Sequence, residues 1–199
     1  METSLSTKEY LEIERITDLR HEWIDGQLWA MQGTGIAHNT ISVNIPCLLY
    51  GQLRGHNCEV LMKQMRVKIS QPDTYVYPDA LVVCGEPQFD HTMPHTLLNP
   101  QIIIEVLSPE DQRYDKARKW KLYRTLESLT DYILVSQDKI SVQHYRRLEN
   151  NDWLLHIAES RDEVLEITSI ECHLPIAEIY ERIDFSPTPP NQDAPHETL

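Results

Sequence analysis

Apolar positions along this 199-residue chain change their period several times, and each change marks an element. Residues 7–20 (TKEYLEIERITDLR) read as a short helix with Thr7 as its cap. HEWIDGQLWAM reads as two short strands turning at Asp25-Gly26, the strongest short hairpin signal in the chain. In IAHNTISVNIPCLLYGQLRG, the residues Ile41, Ile45, Leu48, Leu49 and Leu53 recur at helical spacing. That helix is expected to end near Gly55, and Pro46 inside it implies a kink or an irregular first turn.

The pattern then shortens. CEVLMKQMRVKIS supplies strands, with alternation in Met65, Val67 and Ile69, and QPDTYVYP reads as a turn into the strand ALVVC. A loop rich in proline and histidine fills 85–100. QIIIEVL is a continuous apolar run, the mark of a central strand covered on both faces. A helix over 115–126 follows, then strands DYILVS and ISVQHYRR, joined at Gln137-Asp138-Lys139, and one more strand in NDWLLHIAE. EVLEI is a short strand, and ECHLPIAEIYERI a closing helix with Pro175 at its first position. Residues 186–199 (SPTPPNQDAPHETL) are proline-rich and polar, and disorder is expected there. The order of elements predicts an α/β fold, a mixed sheet flanked by helices, in one domain over residues 1–185.

Composition narrows the classes. No run of eighteen apolar residues appears, so no membrane span is expected. The polar N-terminal stretch METSLSTKEYLEIERI has no apolar signal core, which points to a cytoplasmic location. Cys47, Cys58, Cys84 and Cys172 lack CxxC spacing, so free thiols are expected rather than disulfides or zinc. A net charge of −13 runs against the basic footprint usual in nucleic-acid enzymes. Yet Arg113, Lys116, Arg118, Lys119, Lys121 and Arg124 crowd into one stretch, either a local basic patch or a solvated helix face.

Asp79 begins one strand and Glu105 lies towards the end of another, so neighbouring placement would bring both carboxylates to one point. Two close carboxylates repel unless a cation sits between them, and Mg²⁺ (or Mn²⁺) prefers such oxygen ligands. The backbone carbonyl of Val106 is a candidate third ligand. Asp115, Lys119 and Tyr123 share a helix face at i, i+4 spacing. Lys119 pointed at the metal would orient water and stabilise a pentacoordinate phosphate, with Asp115 as cap or partner. The competing reading is a surface ion pair worth a few tenths of a kcal/mol. Glu22 is either an auxiliary acid or a structural residue of the hairpin. His38, just before a helix, either contacts a phosphate or Asp79, or serves the helix start. His91 and His95 lack a third ligand nearby. Ser108 has no glycine elbow, and no glycine-rich phosphate loop exists, which argues against a serine hydrolase and an NTPase.

Together these residues resemble a known group. Pro78-Asp79, E-V-L-S-P at 105–109, D-x-x-x-K-x-x-x-Y at 115–123, D-Y-I-L-V at 131–135, E-W-I-D-G-Q-L at 22–28 and His38 look like a large bacterial restriction-endonuclease family, a domain of unknown function within the PD-(D/E)XK nuclease superfamily. The resemblance implies an αβββαβ core with metal held by Asp79 and Glu105, and phosphodiester hydrolysis with DNA as the expected substrate. Leu107 stands where the wider superfamily has lysine, and Lys119 corresponds to the lysine that this family supplies from the helix. Ser136 replaces an aspartate common in members. Arg113, Lys116 and Arg118 would guide the nucleic-acid backbone. A homodimer would match two sites to the two strands of a duplex. The acidic charge favours the alternative, a regulatory or binding module that keeps the fold and cuts little.

Overall fold

Ser6, one residue before the expected cap, starts the first helix. In the computed structural model, which describes residues 4–31, 35–70, 73–107 and 115–185, α1 (Thr7–Ile16) opens on a capping box between Ser6 and Glu9. The Ser6 side chain accepts from the Glu9 N–H, and the Glu9 carboxylate accepts from the Ser6 N–H. Thr7 therefore sits inside the helix. β1 (His21–Ile24) and β2 (Gln27–Ala30) form the expected hairpin, with positive φ at both Asp25 (52°) and Gly26 (78°). α2 (Ile36–Gln52) runs through a buried Pro46 as one element.

Seven strands follow in two groups: β3 (Cys58–Met62), β4 (Arg66–Ser70), β5 (Asp73–Val76), β6 (Ala80–Cys84), the short β7 (Thr96–Leu97) and β8 (Ile102–Leu107), then, after α3 (Asp115–Tyr123), β9 (Asp131–Ser136). β10 (Val142–Arg147), β11 (Trp153–Ala158), β12 (Val164–Ile167), β13 (Cys172–Pro175) and α4 (Ile176–Ile179) complete the described chain. The single expected sheet is three. β2-β1-β5-β4-β7 form one, β11-β10-β9-β8-β6-β3 a second, and β12-β13 a third. The cause is local: after the turn at Lys63-Gln64, β4 pairs with β5 and leaves β3 behind. The stretch expected as a turn is itself β5, which also pairs with β1.

Within the six-stranded sheet, α2-β3-β6-β8-α3-β9 follows the αβββαβ order, with β8 and β9 parallel and β6 antiparallel to both β3 and β8. Alternation then splits the side chains between two cores. Ala80, Val82, Ile102, Ile104, Ile133 and Val135 pack with Ile41, Ile45 and Leu49 of α2 and with β12 and β13. Leu81, Val83, Ile103, Tyr132 and Leu134 face the other way, towards Leu122 and Tyr123 of α3 and Val67, Ile69 and Val76 of the five-stranded sheet. Both faces of the central sheet are covered, as the unbroken apolar run of β8 implied.

Three further expectations change. α3 stops at Tyr123, because Thr125 and Leu126 take tighter bonds to the carbonyls three residues back. Pro175 ends β13 instead of opening the last helix, which has four residues. Cys58 and Cys84 are directly opposed in the β3–β6 ladder and form a disulfide, while Cys47 and Cys172 are free. The proline-rich stretch 186–199 and Ser108-Pro109 lie outside the described residues.

Candidate active site

Strand register builds the site. The β6–β8 ladder ends with Ala80 opposite Ile104, so one residue further Asp79 faces Glu105. Both follow the alternation that points Leu81 and Ile103 towards α3, and both therefore emerge on that face. Asp79 and Glu105 are buried, at 5% exposure each. On the other side of β6, Met62 lies opposite Ala80, so Lys63 in the following turn comes beside Asp79. Lys63, Asp79 and Glu105 thus form a row across three strands.

α3 supplies the lid over this row. Trp120 stacks on Tyr145 at 4.3 Å and meets Trp153 edge-on at 4.8 Å, which pins the helix to the sheet. Two of the four tryptophans are thereby joined in one cluster. The same helix face carries Lys119 and Tyr123 inward. Lys119 Nζ donates to Glu105 Oε1 at 3.2 Å and to Glu22 Oε1 at 3.1 Å, and the Tyr123 hydroxyl donates to Glu105 Oε1 at 2.7 Å. Glu22, on β1, also accepts the Tyr77 N–H at 3.2 Å, just before Pro78-Asp79. His38 lies in the first turn of α2 rather than before it, with Nε2 3.5 Å from Asp79 Oδ2 and Nδ1 3.2 Å from Ser42 Oγ.

Asp79, Glu105, Lys119, Glu22, His38 and Tyr123 are therefore brought together. Val106 contributes its N–H, which donates to Asp79 Oδ2 at 2.8 Å. Arg118 turns the other way. It donates to Ile24 O at 3.2 Å and to Asp25 Oδ2 at 2.9 Å, and its guanidinium lies over the Trp29 ring. Its described contacts fasten the β1–β2 hairpin to α3. Arg113 and the side chains of Asp115 and Lys116 lie outside the described residues. Lys63, with Nζ 3.4 Å from Asp79 Oδ1, is the site residue that sequence reasoning missed. No local motif marks it, and only the strand register delivers it.

The two carboxylates differ in electrostatics. Burial opposes the charged form of Asp79, but His38, the Val106 N–H and Lys63 outweigh it and hold the carboxyl below the ordinary range. Burial dominates at Glu105 and pushes its carboxyl up to about 7; Lys119 and the Tyr123 hydroxyl pull it down, while Asp79 and Glu22 push it higher. Burial and Glu105 raise the Tyr123 phenol well above its usual value, which keeps it a donor.

These donors suit a divalent cation. Among the described residues no three His, Cys, Asp or Glu side chains converge at ligand spacing. Mg²⁺ does not require such a cage, because one or two carboxylates with water and substrate phosphate are its usual shell. The raised carboxyl of Glu105 records first the cost of burying it and then that of setting it beside Asp79 and Glu22, and a dication at the Asp79–Glu105 pair would offset both.

Known proteins resemble this chain in fold or in sequence. The crystal structure of "a putative nuclease belonging to DUF820 from Anabaena variabilis ATCC 29413" superposes with a TM-score of 0.70, covering 87% of this chain and 96% of that one at 19% identity, a likeness of fold. Two proteins of Synechocystis sp. (strain ATCC 27184 / PCC 6803 / Kazusa) are similar in sequence. "Uncharacterized protein slr1290" is 33% identical over 181 residues, 91% of this chain and 94% of its own length. "Uncharacterized protein sll1609" is 32% identical over 151 residues, 76% and 85% respectively. The model of the Uma2 family, described as "Putative restriction endonuclease", matches residues 7–177, and the chain belongs to that family.

Proposed function

We propose that this protein is a divalent-metal-dependent endonuclease that hydrolyses phosphodiester bonds in DNA. The observation that supports it most is the meeting of Asp79, Glu105 and Lys119, contributed by three separate elements, at one point on the sheet. Asp79 and Glu105 would hold the cation, Mg²⁺ or Mn²⁺, with the Val106 carbonyl as a candidate third ligand. Bound there, the cation supplies an activated water and offsets charge on the phosphate.

The protein's own groups do the rest. Lys119 presents its ammonium to the nucleophile and to the negative charge that grows on phosphorus substituents. Glu22 and Glu105 fix that ammonium from two sides, and Tyr123 fixes Glu105. His38 and the Val106 N–H orient Asp79. Arg113 and Lys116 remain candidates for guiding the nucleic-acid backbone, together with Arg118 where its hairpin contacts leave it reach. One domain over 1–185, a homodimer and a cytoplasmic site of action belong to the same reading. No described helix is long and apolar enough to cross a membrane.

Supercoiled plasmid with Mg²⁺ or Mn²⁺ tests this reading. Wild type is expected to nick the plasmid and Asp79→Ala to leave it intact. Equal nicking by both would mean contamination and would remove the mechanism. The net charge of −13 favours the second reading, a binding or regulatory module. Wild type that retains DNA in a filter assay and nicks it with neither metal would select that reading.

A further inference from the structure

Lys63 has no role in the reaction as described, although its ammonium lies in the site. Its place is built in by the fold. The β3–β6 and β6–β8 registers align Lys63, Asp79 and Glu105 across the sheet, and Lys63 Nζ stands 3.4 Å from Asp79 Oδ1. The other oxygen of Asp79 already takes the Val106 N–H at 2.8 Å and faces His38 at 3.5 Å. Oδ1 is thus the oxygen that Asp79 has to offer a cation, and Lys63 is on it.

The two lysines of the site are held differently. The Lys119 side chain is 14% exposed and gripped by two acids, whereas that of Lys63 is 37% exposed and projects from a turn. A flexible four-carbon stem at a solvent-open turn can swing its charge without disturbing the sheet. A dication and an ammonium cannot both contact one carboxylate oxygen without strong repulsion. Binding of one must displace the other.

We propose that Lys63 is the exchangeable counter-ion of Asp79: it yields Oδ1 to an arriving divalent cation and turns its ammonium to a phosphate of the incoming nucleic acid. This inference rests on the metal-dependent reading above. Lys63 then serves twice. It balances Asp79 in the metal-free protein, and it becomes a second substrate-facing cation, beside Lys119, once metal is in place.

Mn²⁺ titration followed by electron paramagnetic resonance separates the possibilities, with wild type, Lys63→Met, Lys63→Arg and Asp79→Asn compared after thermal melts establish that each is folded. Lys63→Met keeps the aliphatic stem and removes the competitor, so it is expected to bind Mn²⁺ about three- to tenfold tighter than wild type. Lys63→Arg should stay within about twofold of wild type, because it retains the charge. Asp79→Asn should lose the site. In a second arm, a duplex oligonucleotide is titrated with Ca²⁺ present, and Lys63→Met should bind it several-fold more weakly while Lys63→Arg does not. Unchanged or weaker Mn²⁺ binding by Lys63→Met, with Asp79→Asn still losing the site, overturns the exchange and leaves the metal centre standing. Unchanged oligonucleotide binding by Lys63→Met overturns the turn towards phosphate. Mn²⁺ binding that is absent from wild type, or indifferent to Asp79, overturns both the exchange and the reading beneath it.

Discussion

The Lys119 ammonium and the Glu105 carboxylate meet at 3.2 Å although one comes from α3 and the other from β8, 14 residues apart in sequence. The oxygen that receives the ammonium, Oε1, also receives the Tyr123 hydroxyl at 2.7 Å. Helix α3 therefore places two donors, one turn apart, on a single buried acceptor. A lysine held this way has little freedom to wander, which is what a group acting on a transition state requires.

Removing that ammonium is expected to cost catalysis more than binding. Lys119→Met should lower the single-turnover nicking rate by about a hundredfold or more, while affinity for duplex DNA changes by less than about tenfold. Lys119→Arg should recover only part of the rate, since a planar fork does not reproduce a point donor between two acids. A Lys119→Met rate within about threefold of wild type would sink the assigned role.

The pH dependence follows from Glu105. Its carboxyl is raised from the usual 4.5 to about 7, first by burial and then by the neighbouring acids. A group whose folded value is raised contributes stability that is fully present below the unfolded value and is lost as pH rises through the folded one. The metal-free protein should therefore lose melting temperature between about pH 5 and about pH 8, and Glu105→Gln should flatten that slope. Metal competes with the same proton, so Mn²⁺ affinity should fall by up to about tenfold per pH unit below about 7. Tyr123→Phe removes a donor that favours the charged form and should move this midpoint upward. Mn²⁺ affinity that is flat from about pH 5 to about pH 8 would contradict the assignment of Glu105 as a ligand.

Periodicity made the strands of Asp79 and Glu105 legible because both are bounded apolar runs, and an acid at the mouth of such a run stands out. It also located Lys119 and Tyr123, since a helix face repeats every three to four residues. Which strands lie side by side is not written in any local pattern. That is why Lys63, in an ordinary turn, went unseen, and why β4 and β5 were not separated from β3. Glu14 was hidden for a related reason. It is one acid among several on α1, and only packing against the five-stranded sheet buries it.

That buried acid supports the site from behind. Glu14 Oε1 accepts from the Tyr77 hydroxyl at 2.8 Å and from the His21 N–H at 3.2 Å, and Arg66 donates to the same hydroxyl at 3.2 Å and to Thr96 Oγ1 at 2.8 Å. Tyr77 is the residue before Pro78-Asp79, so the network anchors the entry to β6. Arg66 reaches the Glu14 carboxylate through the Tyr77 hydroxyl, so Glu14→Leu leaves the buried guanidinium with only neutral described partners and should cost about 3 kcal/mol in urea unfolding. Adding Arg66→Met should return part of that loss, as expected when an unpaired buried charge, rather than lost packing, is the cause. A single-variant loss below about 1 kcal/mol would show that the network carries no such weight.

Gly26 links local backbone to the site at longer range. Its φ is +78°, and an added Cβ would lie 2.0 Å from Ser4 Oγ, while the Leu5 N–H donates to the Gly26 carbonyl at 2.8 Å. Gly55 has a similar φ of +83° but open space around the position. Gly55→Ala should therefore cost only the left-handed penalty, about 1 kcal/mol, and Gly26→Ala should cost more, about 2–3 kcal/mol, because Ser4 must also move. The functional consequences should diverge as well. The hairpin turning at Gly26 carries Glu22, which holds Lys119, and presents Asp25 and Trp29 to Arg118. Gly26→Ala is expected to slow plasmid nicking several-fold at a temperature where the variant remains folded, and Gly55→Ala to leave it unchanged. Equal nicking by the two variants under those conditions would mean that the hairpin does not position Lys119.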